Sequence, residues 1–304
     1  MSSTQPTPPR AAFDLRQACV LACASDLAYK DPGVIEQTVL GMWKAQDFRY
    51  FEVDSTQCFI ATTPTDICVS FRGTEATKIS DWITDLNFEL IPGPVGGLVH
   101  EGFYDALSDI WCLVDHAVSS FDDGKSKLLW VTGHSLGGAL ATLAVARWLD
   151  QGRPVAGMYT FGQPRTGDCE FSRNFDFRFK PYAFRVVNNN DIVTRVPPRL
   201  SGYRHIGRFR YLTGPGQLVG KISWWRMFLD RLNGEVEDIL DWCSEGIQDH
   251  GMSIYRQLLE SNFAREHAAR ITDLATSRIH QPDPSSRGSA PPDHDPISAS
   301  VASA

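Results

Sequence analysis

The stretch that decides the reading is Leu128-Leu129-Trp130-Val131-Thr132-Gly133-His134-Ser135-Leu136-Gly137-Gly138-Ala139-Leu140. Leu128–Thr132, apolar and β-branched, predicts a short buried strand, and the Ala- and Leu-rich run Leu136–Asp150 predicts a helix. Between them lies G-x-S-x-G. A turn that tight leaves no room for side chains two residues before and two residues after the serine, and Gly133 and Gly137 supply that lack. Such a turn lifts Ser135 Oγ above the sheet edge and points the first amides of the following helix at the same spot. A plain helix-entry turn explains the pentapeptide but not the strand and helix that flank it.

Working outward, Asp47–Val53, Gln57–Thr62 and Asp66–Phe71 read as strands of an antiparallel meander, split by turn residues at 54–56 and 64–65. Phe13–Tyr29 repeats its apolar positions at helical spacing, and Asp31-Pro32 is read as its end. Beyond the elbow, Met158–Phe161, Phe184–Val187 and Phe209–Leu212 are further strands, and Met252–Asn262 is a final helix. Strands alternating with helices imply parallel pairing, so the fold class is α/β with a mixed, mostly parallel central sheet and flanking helices. The expected organisation is a disordered leader over 1–11, a single domain over 12–271, and a disordered tail over 272–304. The tail carries five prolines and no Phe, Tyr or Trp.

The chain has 304 residues, with 42% hydrophobic and 21% charged, so wholesale disorder is excluded. A net charge of -7 argues against a nucleic-acid binder, which needs clustered Lys and Arg. The longest nearly apolar run, Leu136–Ala146, is 11 residues, against roughly 20 for a transmembrane helix. Seven scattered cysteines without a C-x-x-C pair fit neither a disulfide framework nor a zinc site. No H-E-x-x-H or other ligand cluster calls for a metal or cofactor. Gly214–Ile222 imitates a phosphate-binding loop, but its first glycine is misplaced and Ile222 lacks the needed hydroxyl. Residues 1–9 hold no Lys or Arg, so the expected location is cytoplasmic, or exported without a cleaved signal.

A serine hydroxyl becomes a useful nucleophile when a histidine takes its proton and a carboxylate orients that histidine. With the G-x-S-x-G elbow the usual chain order is serine, acid, histidine. Asp191 follows the strand Phe184–Val187 and suits the acid, although Asn188-Asn189-Asn190 makes a simple turn residue equally good on residue types alone. Of eight histidines, five follow Asp191; His267 sits in a helical pattern and His280 and His294 lie in or beside the tail, which leaves His205 and His250. His205 precedes the last strand, and His250 comes after it and opens the final helix.

Further blocks carry a resemblance. Val69–Thr74, Asp81–Leu86, Val99–Phe103, Thr160–Arg165 and Asn188–Val193 running into Pro197-Pro198 recur with the elbow in one order. Together, over roughly residues 15–262, they resemble the class 3 lipases, the family of fungal triacylglycerol lipases, and a bacterial-type member is expected. The resemblance implies an α/β-hydrolase fold with a lid at 76–85, and a serine hydrolase of lipid carboxylic esters. It favours Asp191 as acid and, through the block Asp249-His250-Gly251-Met252-Ser253-Ile254-Tyr255, His250 as base; His205 is then a partly buried, locally bonded residue. It implies an oxyanion hole from the amides of Leu136 and Thr74. The partner would be a lipid ester, met by transient contact with a lipid interface. Alternatives on the same triad are a phospholipase A-type or aromatic-ester hydrolase. Outside enzymes, a catalytically silent lipid-binding module has no need of all three residues.

Two segments stay open at this level. Ile79, Trp82 and Ile83 fall on one helical stripe within 76–85, which suits a mobile cover or a fixed amphipathic helix. The Trp-rich insertion at 214–246, with Trp224-Trp225 at its centre, suits a second cap, a membrane-surface contact or plain burial.

Overall fold

A computed structural model describes residues 12–85, 87–122, 124, 127–220 and 246–279. The leader 1–11, the tryptophans of the insertion and the end of the tail lie outside the described residues. By its internal contacts the chain divides into two units, residues 1–263 and 264–304.

The first unit is built on an eight-stranded sheet. Strands β1 (Asp47–Val53), β2 (Thr56–Thr62) and β3 (Asp66–Phe71) form the antiparallel meander. A small separate hairpin follows, β4 (Leu90–Pro92) with β5 (Leu98–His100), which the sequence reading did not include. Strands β6 (Leu128–His134), β7 (Gly157–Phe161), β8 (Ala183–Asn188) and β9 (Arg208–Leu212) then run parallel to β3 and to one another. β10 (Leu218–Val219) closes the edge antiparallel to β9. The order β1-β2-β3-β6-β7-β8-β9-β10 puts β6, and the serine after it, near the middle of the sheet.

Among the described residues, six helices lie wholly within this unit: α1 (Leu15–Leu27), α2 (Pro32–Gly41), α3 (Ile79–Asp85), α4 (Glu101–Asp122), α5 (Leu136–Asp150) and α6 (Cys169–Phe179). The last helix, α7 (Met252–Ile279), spans the boundary between units. Asp31-Pro32, expected to end the first helix, instead opens α2. The physical reason is that proline fits the first helical position, where the N–H has no partner anyway. Helix α6 starts on Asp168, whose side chain accepts from Phe171 N at 2.7 Å, and buries Phe171, Phe175 and Phe179 at i, i+4 and i+8.

The two faces of the sheet are sorted by the period-2 alternation of its strands. Cys58, Ile60, Val69, Phe71, Leu129, Val131 and Met158 meet α4 and α5 on one side. Tyr159, Phe161, Phe184 and Val186 meet α1 and the first turns of α7 on the other, where Met252, Tyr255 and Leu259 are buried. Small residues let α1 come close: Ser25 Oγ lies 2.9 Å from Thr132 Oγ1, and Ser70 Oγ donates to Ala24 O at 3.1 Å. Helix α5 is buried almost all round, which explains why its sequence lacks a polar face.

In the second unit, residues 264–279 are helical and exposed as far as Thr272. The boundary expected at 272 is therefore not a helix end. Residues 264–279 are rich in Ala and Arg, and the next proline comes only at 282. Among the described residues no helix is long and apolar enough to cross a membrane.

Leu143, fully buried between α5 and the sheet, should cost about 2–5 kcal/mol when cut to alanine. Leu113, 45% exposed on α4, should cost under about 0.5 kcal/mol for the same change. Equilibrium unfolding in urea separates the two.

Candidate active site

Ser135 stands between β6 and α5 with φ 56° and ψ -130°, a conformation that a side-chain-bearing residue adopts only when its surroundings impose it. The surroundings are backbone. A Cβ on Gly133 would run into the carbonyl of Gly137, and one on Gly137 into the carbonyl of Phe71. Strand β3, the strand β6 and helix α5 thus meet without side chains between them, and Ser135 is the residue that absorbs the turn. It is fully buried, and its Oγ has no hydrogen-bond partner among the described residues.

Asp191 and His250 come together 59 residues apart in sequence: His250 Nδ1 lies 2.9 Å from Asp191 Oδ2, with both side chains buried. Because a carboxylate accepts, Nδ1 carries the proton and Nε2 is left as the basic nitrogen. That Nε2 is buried and without a partner among the described residues, as is Ser135 Oγ. Asp191 is held in turn by Tyr255, whose hydroxyl donates to Oδ2 at 2.5 Å, and by Val193 N, which donates to Oδ1 at 2.9 Å. Burial and the neighbouring Asp191 push the Tyr255 hydroxyl well above its ordinary pKa, so it remains a donor. Gly162, at φ +58°, permits the closeness: its Cβ would come 2.7 Å from Asp191 Oδ2 and 2.8 Å from His250 Nδ1.

The asparagine run is more than a turn. Asn188 Nδ2 donates to Asp249 O at 2.9 Å, while Asn189 Nδ2 and Asn190 N both donate to Asp249 Oδ2 at 3.1 Å. These bonds clasp the loop of His250 to the loop of Asp191.

His134, the residue before Ser135, has a place of its own. Its Nε2 lies 2.6 Å from the carbonyl oxygen of His250, and its Nδ1 lies 2.7 Å from the Tyr29 hydroxyl. A carbonyl only accepts, so Nε2 holds the hydrogen and Nδ1 accepts from Tyr29. The Tyr29 oxygen itself takes a hydrogen bond from the backbone N–H of Gly73. One chain of bonds therefore links the Gly73 loop, the residue before the nucleophile and the backbone of His250. Burial, with His250 nearby, keeps His134 neutral, its pKa well below the ordinary histidine value. Tyr29 carried no motif signal and reaches His134 across 105 residues of sequence; Tyr255, five residues after His250, belongs to its block, but its bond to Asp191 spans 64 residues.

The site residues read from the sequence are distributed as follows. Leu136 is the first residue of α5, so its N–H is an unpaired helix-start donor by position. Thr74 and Leu136 line one cleft of about 660 Å³ with Gly73, Trp82 and Phe103. His205 is not brought to Ser135; its Nε2 lies 2.9 Å from Thr194 O, a local bond as expected. Residues 76–85 form a 3-10 turn and α3, with Ile79 buried and Trp82 stacked on Phe103 at 6.1 Å.

Residues 68–201 match the family described as lipase (class 3). A secreted mono- and diacylglycerol lipase of Fusarium solani is 34% identical over 191 residues, covering 61% of this chain and 53% of the relative. A triacylglycerol lipase of Ricinus communis is 32% identical over 248 residues, covering 60% of this chain and 46% of the relative. The chain thus spans about half the length of these curated relatives. They are fungal and plant proteins, and give no support to the bacterial-type placement expected from the sequence. The solved Rhizomucor miehei triacylglyceride lipase superposes with a TM-score of 0.56 at 26% identity, over 69% of this chain and 86% of that one.

Two measurements probe the buried ring chain. Tyr29→Phe removes the donor to His134 Nδ1 and should cost about 1–3 kcal/mol of stability in chemical denaturation. Burial also holds His100, beside the cleft, at a pKa of about 4. An unfolded histidine protonates near 6.5, so the unfolded chain gains protons first as pH falls. Stability should be full above about pH 7 and decline between about 6.5 and 4, and the decline should shrink in His100→Gln. Residues 68–201 thus resemble the class 3 lipases, and the fold around them is the α/β-hydrolase fold.

Proposed function

We propose that the protein is a serine hydrolase of lipid carboxylic esters, with neutral acylglycerols as the substrate class. The observation that carries this reading is the His250–Asp191 pair at 2.9 Å, with unpartnered His250 Nε2 and Ser135 Oγ buried in the same site. Ser135 Oγ attacks the ester carbonyl while its proton passes to His250 Nε2. Asp191 holds the imidazolium that forms, and the amides of Leu136 and Thr74 receive the charge on the carbonyl oxygen. Collapse of the tetrahedral adduct breaks the acyl–oxygen bond, and His250 returns the proton to the departing alcohol. Water, deprotonated by the same nitrogen, then releases the fatty acid and restores Ser135.

The cleft speaks to the headgroup. Glu75, Glu89, Glu101 and Asp105 line it, and the Arg and Lys of its lining, Arg72 and Lys78, both pair with Glu75, at 2.7 and 4.0 Å. A hydrogen bond to Glu89 raises the Glu101 carboxyl, a sign of crowded negative charge. That lining repels an anionic phospholipid and tolerates an uncharged glycerol ester. The names of the Fusarium and Ricinus relatives point the same way.

Because Ser135 is fully buried, substrate reaches it only after something moves. The segment 76–85 is the element we assign to that movement. Swinging α3 outward exposes Ile79, Trp82 and the ring of Phe103, apolar surface that a lipid interface would cover.

Hydrolysis of a p-nitrophenyl ester series from acetate to palmitate tests the reading. Ser135→Ala, His250→Ala and Asp191→Asn should each lower kcat by about 10⁴-fold or more, whereas His205→Ala should leave it within a few-fold. An unchanged rate in Ser135→Ala refutes the assignment of the nucleophile.

A further inference from the structure

On the far side of the Asp191 loop lies a second cavity, of about 710 Å³, that the hydrolase reading does not use. Among the described residues its walls hold seven arginine and lysine side chains and one carboxylate, in a chain whose net charge is -7. The carboxylate, Asp176, is already engaged, accepting from Lys180 Nζ at 2.6 Å and from Gly207 N at 2.7 Å.

Two of the arginines are placed as surface charges never are. Arg185 sits on β8 with only 8% of its surface exposed, its guanidinium 5.1 Å over the Phe209 ring. It has no hydrogen bond and no ion pair among the described residues, and its Nε is buried without a partner. Arg165 spends one Nη on the carbonyls of Arg195 and Pro197, and its Nε too is buried and unpartnered. Burial and mutual repulsion lower both guanidinium pKa values to about 10. His205, on the same wall, has a buried and unpartnered Nδ1. Buried, uncompensated charge is expensive, and proteins keep it where a counter-charge arrives from outside. Arg199 and Arg204 stand at the same wall, and Arg204 holds its fork in place by donating to Arg199 O at 3.0 Å and to Tyr203 O at 2.8 Å.

We propose that this cavity is a binding site for a multivalent phosphoryl anion, with Arg165 and Arg185 as its floor and Arg199 and Arg204 as its rim. Planar guanidinium forks match phosphate oxygens two at a time, and several of them select for more than one phosphoryl charge. The same chemistry comes in two forms, a soluble polyphosphate ester or an anionic lipid headgroup. Leu200, wholly exposed beside Arg199, is the residue that only a lipid surface would bury. The site stands independently of the hydrolase assignment, since none of its residues belongs to the triad or the oxyanion pair.

The test uses the full chain with two probes, inorganic tripolyphosphate and ether-linked phosphatidylcholine vesicles with or without phosphatidic acid. The soluble form predicts calorimetric binding of tripolyphosphate and a rise in Tm. The lipid form predicts salt-sensitive flotation with the phosphatidic acid vesicles alone, weakened by Leu200→Ser, which leaves tripolyphosphate binding untouched. In either form Arg199→Ala/Arg204→Ala, at the rim, should bind at least about tenfold more weakly. Arg185→Met should remain folded and lose binding to the same degree. No binding of either probe to the wild type overturns the proposal, and so does wild-type affinity in both variants.

Discussion

The turn at Ser135 is the constraint on which the rest of the site depends. Its backbone takes a positive φ because β3, β6 and α5 meet there with nothing between them but peptide groups. Gly137 touching the carbonyl of Phe71 ties α5 to the strand that runs directly into Gly73 and Thr74. A single packing contact thereby sets both the height of the serine and the distance of the loop carrying the second oxyanion donor. The strain at Ser135 is offset by α5, whose burial on every side anchors the turn from its far end.

A second set of contacts fixes the base without touching its reactive nitrogen. Asp191 and Tyr255 position the ring of His250 through one oxygen, Oδ2, and the asparagines at 188–190 position the backbone just before it through Asp249. His134 then bonds to the carbonyl of His250 and, through Tyr29, reaches Gly73. Ser135, His250 and the Gly73 loop come from three separate elements, yet one run of hydrogen bonds among buried groups registers them against each other. In a low-dielectric interior such bonds hold their geometry firmly, because the alternative is an unpaired polar group.

How much of this was legible in the sequence follows from how local each signal is. The elbow was, because strand, turn and helix are consecutive and the turn demands glycine at fixed offsets. The meander and the four parallel strands were, because β-branched and aromatic runs bounded by turn residues need no distant information. Asp191 and His250 were legible as an order along the chain, though their pairing rested on resemblance. Tyr29, the bond of Tyr255 to Asp191 and the second role of His134 were not, since aromatic residues at helical spacing look like core until the fold brings them to a carboxylate or an imidazole. Pro32 misled for a related reason: a proline ends one helix and starts another with equal ease, and only the geometry of the chain after it distinguishes the two. Helices α4 and α6 bury apolar residues at helical spacing, Phe103, Leu107, Ile110 and Val114 on one and Phe171, Phe175 and Phe179 on the other, a signal separate from the site motifs.

The loop from Asn188 to Arg195 belongs to two sites at once. One face presents Asp191 to His250, and the other presents Asn190, Thr194 and Arg195 to the basic cavity. Thr194 joins the faces: its hydroxyl donates to the carbonyl of Asp191 at 2.9 Å, and its own carbonyl lies 2.9 Å from His205 Nε2. A counter-charge seated against Arg185 and His205 would therefore act on the same short segment that sets the direction of the acid. Neutralising those guanidinium groups relieves their repulsion without moving the backbone far, so the effect on Asp191 would be one of rigidity more than displacement. On the proposed roles, what binds in the basic cavity bears, through Thr194, on the segment that holds Asp191 against His250.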